Sequence, residues 1–204
     1  MRIVLASASP RRKELLANIG IKYDVCVSDA DESSLEKDPR KLVSILSEKK
    51  ALSVLRGLES GKFDIGADAG KETLCVIGCD TIVYQEKGAG ILGKPHSEAE
   101  AFEMLSSLQG GYHDVFSGVT ILVSGLKTPV KRSFTEQTRV HFSPMSDVEI
   151  ADYIKTGEPM DKAGAYGIQG YCSRYIEGIE GDYFNVVGLP VSHLYRELRS
   201  LGAV

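Results

Sequence analysis

Apolar residues fall along this chain in short blocks with two distinct spacings. Ile3-Val4-Leu5-Ala6 is a continuous apolar run too short for a helix, and it predicts a buried strand. Ser9-Pro10 follows, a good N-cap and a residue suited to the first helical position. Leu15, Leu16 and Ile19 then recur at helical spacing, and Gly20 ends the segment. Lys22 to Val27 reads as a second strand and Asp29 to Asp38 as an acidic loop. From Pro39 to Leu55, Leu42, Leu46 and Val54 share one helical face. Residues 56 to 73 are aperiodic and read as an exposed, mobile loop. Leu74 to Tyr84 is apolar at successive positions, as in a strand buried on both faces, and is interrupted by Asp80.

A Gly-rich turn at 88 to 93 leads to Gly93-Lys94-Pro95. Ser97-Glu98-Ala99-Glu100 predicts a capping box and a helix to Leu108. Val115 to Val123 and Val130 to Phe142 read as strands of a hairpin. Ser146-Asp147-Val148-Glu149 is a second capping box, opening a helix to Lys155. A Gly-rich loop spans Gly157 to Gly170, a strand Arg174 to Ile179, and a last helix starts at Pro190 with Val191, Leu194 and Leu198 inward. Strands and helices mix without strict alternation. The expectation is an α/β or α+β fold with a mixed twisted sheet and flanking helices. The 204 residues suit a single domain over 1–204, with two lobes around a cleft.

Composition narrows the function. Hydrophobic residues make up 43% and charged residues 25%, which excludes disorder and fibrous architectures. The formal charge of -4 argues against a general nucleic-acid coat protein, so an anion site must be a local cluster of cations. No apolar run approaches the ~18 residues needed to span a bilayer, and Ile3 to Ala6 is too short for a signal-peptide core. Cys26, Cys75, Cys79 and Cys172 lack metal or redox spacing and read as structural thiols of a cytoplasmic protein.

Several residues conflict with folding needs alone. Arg11, Arg12 and Lys13 lie at the start of the first helix, where the dipole disfavours cations. An anion bound to the exposed N–H groups and the forked guanidinium donors removes the conflict; a solvated basic patch is the alternative. Asp80 lies in an apolar strand, and an ionised buried carboxylate needs a cation, a metal or a cleft, or else an internal salt bridge. Lys50 shares the apolar face of Leu46 and Val54, so it either snorkels or reaches an anion. Lys94 and Lys162 sit on tight loops and are weak signals alone. In the Gly157 to Gly170 loop, Gln169 offers both an acceptor and a donor, as reading a base edge requires, though a structural Ω-loop has the same composition. The histidines at 96, 113, 141 and 193 show no metal-ligand spacing. Together these features suit a nucleoside triphosphate, with Arg11, Arg12, Lys50, Lys94 and Lys162 for phosphates and Asp80 and Glu32 for a hydrated Mg²⁺ ion.

The stretch Leu5-Ala6-Ser7-Ala8-Ser9-Pro10-Arg11-Arg12-Lys13-Glu14-Leu15-Leu16 resembles the opening motif of the Maf family of nucleotide pyrophosphatases. The likeness continues through Asp31-Glu32, Lys50-Ala51, Gly78-Cys79-Asp80-Thr81, Gly93-Lys94-Pro95, His113 and Ser117-Gly118-Val119. It closes through Gly157-Glu158-Pro159, Asp161-Lys162-Ala163-Gly164, Gly167-Ile168-Gln169-Gly170 and Asn185-Val186-Val187-Gly188-Leu189-Pro190. Gln109-Gly110-Gly111-Tyr112 and Ser117 depart from the usual pattern. The resemblance implies a fold like that of the inosine triphosphate pyrophosphatases and a homodimer. It implies hydrolysis of a nucleoside triphosphate to monophosphate and pyrophosphate, with Asp80 as proton acceptor; from the residues themselves, a divalent cation, Mg²⁺ or Mn²⁺, is expected on Asp80 and Glu32. Substrate contacts are expected from Ser9, Arg11, Arg12, Lys50, Thr81, Lys94, Lys162 and Gln169. The pattern at Arg11, Thr81 and Gln169 resembles the branch acting on dTTP and UTP, with modified pyrimidine triphosphates as further substrates, rather than the branch acting on 7-methyl-GTP. A nucleotide-binding regulator of cell division with little turnover is the competing reading. Binding of nucleic acid or membrane is not expected.

Overall fold

The first apolar run pairs as a strand one residue earlier than its composition suggests, β1 (Arg2–Leu5), and Pro10 opens α1 (Pro10–Asn18) behind the Ser9 cap. Gly20 adopts φ 74 and closes that helix, as expected of a left-handed C-terminal glycine. The chain continues as β2 (Asp24–Val25), α2 (Pro39–Glu59), β3 (Leu74–Gln85), β4 (Gly90–Leu92), α3 (Glu98–Leu108), β5 (Tyr112–Ser124) and β6 (Val130–Phe142). It ends with α4 (Asp147–Lys155), β7 (Ile176–Glu180), α5 (Tyr183–Val187) and α6 (Val191–Ser200). The computed structural model describes residues 1–66 and 72–204.

Among the described residues seven strands form one mixed sheet in the order β2-β1-β3-β5-β6-β7, with β4 paired to β3. β1 runs parallel to β3, Leu5 opposite Ile77, and parallel to β2. β6 and β7 are antiparallel. This is the α/β architecture with a mixed sheet that the element pattern predicts. Among the described residues no helix is long and apolar enough to cross a membrane.

The chain divides into two compact units. Met1–Asp80, Ser117–Thr135 and Gly188–Val204 form the first, with Val4, Ala6, Ala51, Val54, Val76 and Leu122 in its core. Thr81–Phe116 and Glu136–Val187 form the second, built on Leu105, Leu108, Val140, Phe142, Ile150 and Tyr153.

Several boundaries differ from the sequence reading for physical reasons. The strand expected over Lys22 to Val27 pairs only at Asp24–Val25, because it has a single neighbour, β1, and Val25 and Val27 are exposed. The second helix does not stop at Leu55. It runs to Glu59, since Leu58 packs on the core and Phe63 lies against Gly57. The loop assigned to 56 to 73 therefore begins later, and its residues 67 to 71 lie outside the described residues. The Gly-rich turn holds a short strand, with Leu92 opposite Val83. At α3 only half of the capping box forms: Ser97 accepts from Glu100 N, but the Glu100 carboxylate takes the N–H of His96 at 2.7 Å. The box at Ser146 and Glu149 is complete.

Candidate functional site

In the first unit, two glycines let α2 lie directly on the sheet. A Cβ at Gly78 would meet the Ser47 carbonyl and would stand 2.7 Å from Ala51 N; one at Gly118 would meet the Val43 carbonyl and lie 2.9 Å from Ser44 N. Only glycine permits such backbone-on-backbone contact. Ser47 Oγ and Thr120 Oγ1 meet at 3.0 Å in the same buried seam. Gly78 and Asp80 are two apart on β3 and so project from one face, the face covered by α2. Lys50, beside Ala51, therefore reaches Asp80.

Lys50 Nζ donates to Asp80 Oδ1 at 2.6 Å and lies 2.9 Å from Glu32 Oε2. The Lys50 and Asp80 side chains are only 12% and 9% exposed. Burial works against the Lys50 ammonium, but the attraction and hydrogen bond of Asp80, with the hydrogen bond to Glu32, prevail and hold its pKa above the ordinary value. Glu32 is presented by a loop tied to the same helix. Lys49 Nζ donates to the carbonyls of Asp31 and Ser33 at 3.2 and 2.9 Å, and Ser53 Oγ donates to Asp29 at 2.7 Å.

The loop between β1 and α1 completes this cluster. Ser9 Oγ caps the N–H of Arg12 at 3.5 Å, and no acidic residue occupies the first turn of α1. Arg11 lies in that turn, half-buried. The Arg12 guanidinium turns inward: Nε donates to Gly188 O at 2.8 Å, and Nη1 to Cys79 O at 2.8 Å and to Ser7 Oγ at 3.2 Å. It is thus fixed on backbone carbonyls next to Asp80, close enough to oppose the Lys50 ammonium electrostatically. Ser7, Cys79 and Gly188 were not among the expected site residues. Two of them act through a main-chain carbonyl, which no residue type signals.

The other expected residues belong to the second unit. Thr81 follows Asp80 and is half-buried, and Lys94 is exposed after Gly93. Gly164 N donates to Gly93 O at 2.9 Å, joining that turn to the Gly157–Gly170 segment. That segment is not the irregular loop expected, because 3-10 turns form at Glu158–Asp161 and Ala163–Ala165. Lys162 Nζ bonds the Glu158 carbonyl at 2.5 Å and Asp161 Oδ1 at 2.7 Å, so its ammonium is engaged within its own loop. Gln169 is exposed. His113 is buried, with Nε2 2.6 Å from Tyr166 Oη, and desolvation lowers its pKa to about 4. Burial pushes the Cys75 and Cys172 thiols up to about 12, consistent with inert structural cysteines.

Among the described residues no cluster of three His, Cys, Asp or Glu side chains could hold a metal. Asp80 and Glu32 do converge on one cationic point, where Lys50 Nζ stands. Chemically, the first unit thus offers buried carboxylate oxygen beside two basic side chains, Lys50 and Arg12. That combination suits a polyanion, a coordinated cation or both.

A dTTP/UTP pyrophosphatase of Agathobacter rectalis is 45% identical over 202 residues, 98% of each chain. One of Thermoanaerobacter sp. (strain X514) is 48% identical over 199 residues, 98% of this chain and 96% of the relative. A third, of Clostridium acetobutylicum, is 46% identical over 204 residues, covering 99% and 98%. Among solved structures, the Ham1 protein of Staphylococcus aureus aligns over 86% of this chain and 80% of its own, with TM-score 0.38 and 16% identity. The family model described as Maf-like protein matches residues 2–201. With that model and these relatives spanning nearly the whole chain, the polypeptide belongs to the Maf-like protein family.

Proposed function

We propose that this chain is a nucleoside triphosphate pyrophosphatase that hydrolyses dTTP and UTP to the monophosphate and pyrophosphate. Relatives of 45–48% identity carry the name dTTP/UTP pyrophosphatase. The observation that carries the chemistry is the buried Asp80, held by Lys50 at 2.6 Å beside the basic start of α1.

In the proposed reaction, water attacks the α-phosphorus, the bond to the bridging oxygen of the β-phosphate breaks, and pyrophosphate leaves with the electron pair. Lys50 occupies Oδ1 of Asp80, which leaves Oδ2 to accept the proton of the attacking water. Arg11, Lys50 and Lys94 neutralise charge that builds on the leaving pyrophosphate. Arg12, anchored on two carbonyls, adds a fixed positive charge that needs no reorganisation during the reaction. Lys162 shapes its loop through Glu158 and Asp161 as well as adding charge. Ser9 orders the loop before α1, and Thr81 and Gln169 select the base, Gln169 by hydrogen bonds to the uracil or thymine edge.

Asp80 and Glu32 fit a divalent cation, Mg²⁺ or Mn²⁺, because two hard carboxylates already share one cation between them. When bound, such an ion neutralises phosphate charge and polarises the phosphoryl oxygens. The same proposal includes a cytoplasmic setting, in keeping with four buried cysteines that form no disulfide. It also includes a homodimer, which rests on the family resemblance and which sedimentation would test.

The direct test is turnover of dTTP, UTP, CTP, ATP, GTP and 7-methyl-GTP with Mg²⁺, with products separated by chromatography. Monophosphate and pyrophosphate from dTTP and UTP, lost in Asp80→Asn, are expected. Turnover of 7-methyl-GTP instead would keep the chemistry and overturn the base assignment. Binding without turnover would favour a nucleotide-responsive regulator.

A further inference from the structure

The reaction above uses only the main-chain carbonyl of Glu158, yet the Glu158 carboxylate is fully engaged. Oε1 accepts from Tyr153 Oη at 2.9 Å, and Oε2 accepts from the backbone N–H of Tyr171 at 3.0 Å. Tyr153 is completely buried on α4, and its Oη also accepts from the N–H of Gly167 at 3.3 Å. Gly167 and Tyr171 stand two residues before and two after Gln169. The backbone on both sides of Gln169 is therefore tied to a single carboxylate–phenol pair.

Other contacts tighten this clip. Gly170 has φ 78 and ψ -149, a conformation open only to glycine, and a Cβ there would stand 2.7 Å from Glu158 Oε2. The Tyr153 and Tyr171 rings stack at 5.7 Å, and the Arg174 guanidinium lies 3.8 Å from the Tyr171 ring centre. Burial, with the neighbouring Cys172 and Glu158, raises the Tyr153 pKa well above its ordinary range, so the phenol remains a donor to Glu158. A segment with glycines at 167 and 170 would otherwise be free to move, whereas here only the exposed Gln169 side chain projects from a fixed backbone.

We propose that Glu158, acting with Tyr153, is a positioning residue that fixes the reach of Gln169 and so sets the preference for pyrimidine over purine triphosphates. This rests on Gln169 reading the base. The polar edge of a purine lies farther from its sugar than that of a pyrimidine. A reader held at the pyrimidine distance therefore excludes purines, and one released from its clip retracts and admits them. Selectivity through side-chain hydrogen bonds depends on such support of the reading residue.

The test is kcat/KM for UTP and ATP, with inhibition by inorganic pyrophosphate as a probe that has no base. Glu158→Ala is expected to reduce the UTP-to-ATP ratio about tenfold. UTP should lose through KM, ATP should be unchanged or improved, and pyrophosphate inhibition should stay within about twofold. Glu158→Gln should restore most of the ratio, since its amide oxygen can accept from Tyr171 N while its NH₂ donates to Tyr153 Oη. Tyr153→Phe, which keeps the buried ring, should shift the ratio in the same direction. Equal loss for UTP and ATP, or weakened pyrophosphate inhibition, would overturn the proposal in favour of a general structural role. Gln169→Ala separates the two levels of inference. A ratio unchanged in Gln169→Ala overturns the base-reading assignment and this proposal with it. A ratio lost there but kept in Glu158→Ala and Tyr153→Phe overturns the positioning role alone.

Discussion

Replacing Lys50 by Met probes how far burial governs the Lys50–Asp80 pair. The charged groups are 2.6 Å apart, with side chains 12% and 9% exposed, so salt and solvent screen them little. Removing one partner of such a pair costs roughly 3–5 kcal/mol, because the other charge stays buried and uncompensated. Arg12 remains close to the site and offsets part of the stranded charge. The expected loss is therefore at the lower end, about 3 kcal/mol in urea unfolding at neutral pH. Adding Asp80→Asn removes the stranded charge, so the double variant should be more stable than Lys50→Met alone, recovering about half of the loss. The pH dependence has a definite sign. In the unmodified chain, the folded-state pKa of Lys50 is raised, so its contribution is complete below the unfolded lysine value of ~10.4 and is lost as pH rises through the folded one. A Lys50→Met protein within about 1 kcal/mol of the parent, or a double variant as unstable as the single, would refute a buried, mutually dependent pair.

Two further perturbations follow from the packing. Gly78→Ala should destabilise by about 1–3 kcal/mol or more and lower activity, because the new Cβ meets the Ser47 carbonyl and Ala51 N and must push α2, with Lys50, away from β3. Gly93→Ala, where an added Cβ meets nothing within 4 Å, is the matched control and should melt as the parent does. For His113, burial lowers the folded pKa to about 4, outweighing the opposite pull of Asp114. The neutral ring's contribution, about 3 kcal/mol by linkage, is present above the unfolded value of ~6.5 and is lost as pH falls through the folded value. Urea midpoints measured between pH 7 and 4 should fall more steeply for the parent than for His113→Gln; parallel curves would contradict a buried neutral histidine.

Legibility from sequence followed the physics of each element. Long periodic segments were readable: α4 with its capping box, β6 and the apolar face of α6 stand where pattern places them. Elements defined by pairing or by a single turn were not. β2 is limited to Asp24–Val25 by its one neighbour, and the five residues of α5 are too few to show a helical period. In the site, Asp80 and Lys50 stood out because a charge on an apolar face demands a partner, and the structure supplies each to the other. Arg12 was visible as a basic residue at a helix start, but its carbonyl partners at Cys79 and Gly188 were not, since every residue carries a carbonyl.

The glycines carry a related lesson about cause. Gly78 shares a sequence motif with Asp80, yet its role is independent of any charge. With no side chain on the face that Asp80 shares, Gly78 lets Ala51 approach β3, and that approach sets how far the neighbouring Lys50 must reach. Gly118 repeats the device on β5 against Val43 and Ser44. Two small residues on the sheet thus determine the separation of the helix that carries the lysine, and hence the length and burial of the ion pair. The carboxylate in the apolar strand has its partner because the backbone geometry delivers a cation to it, and that geometry resides in positions that bear no functional group.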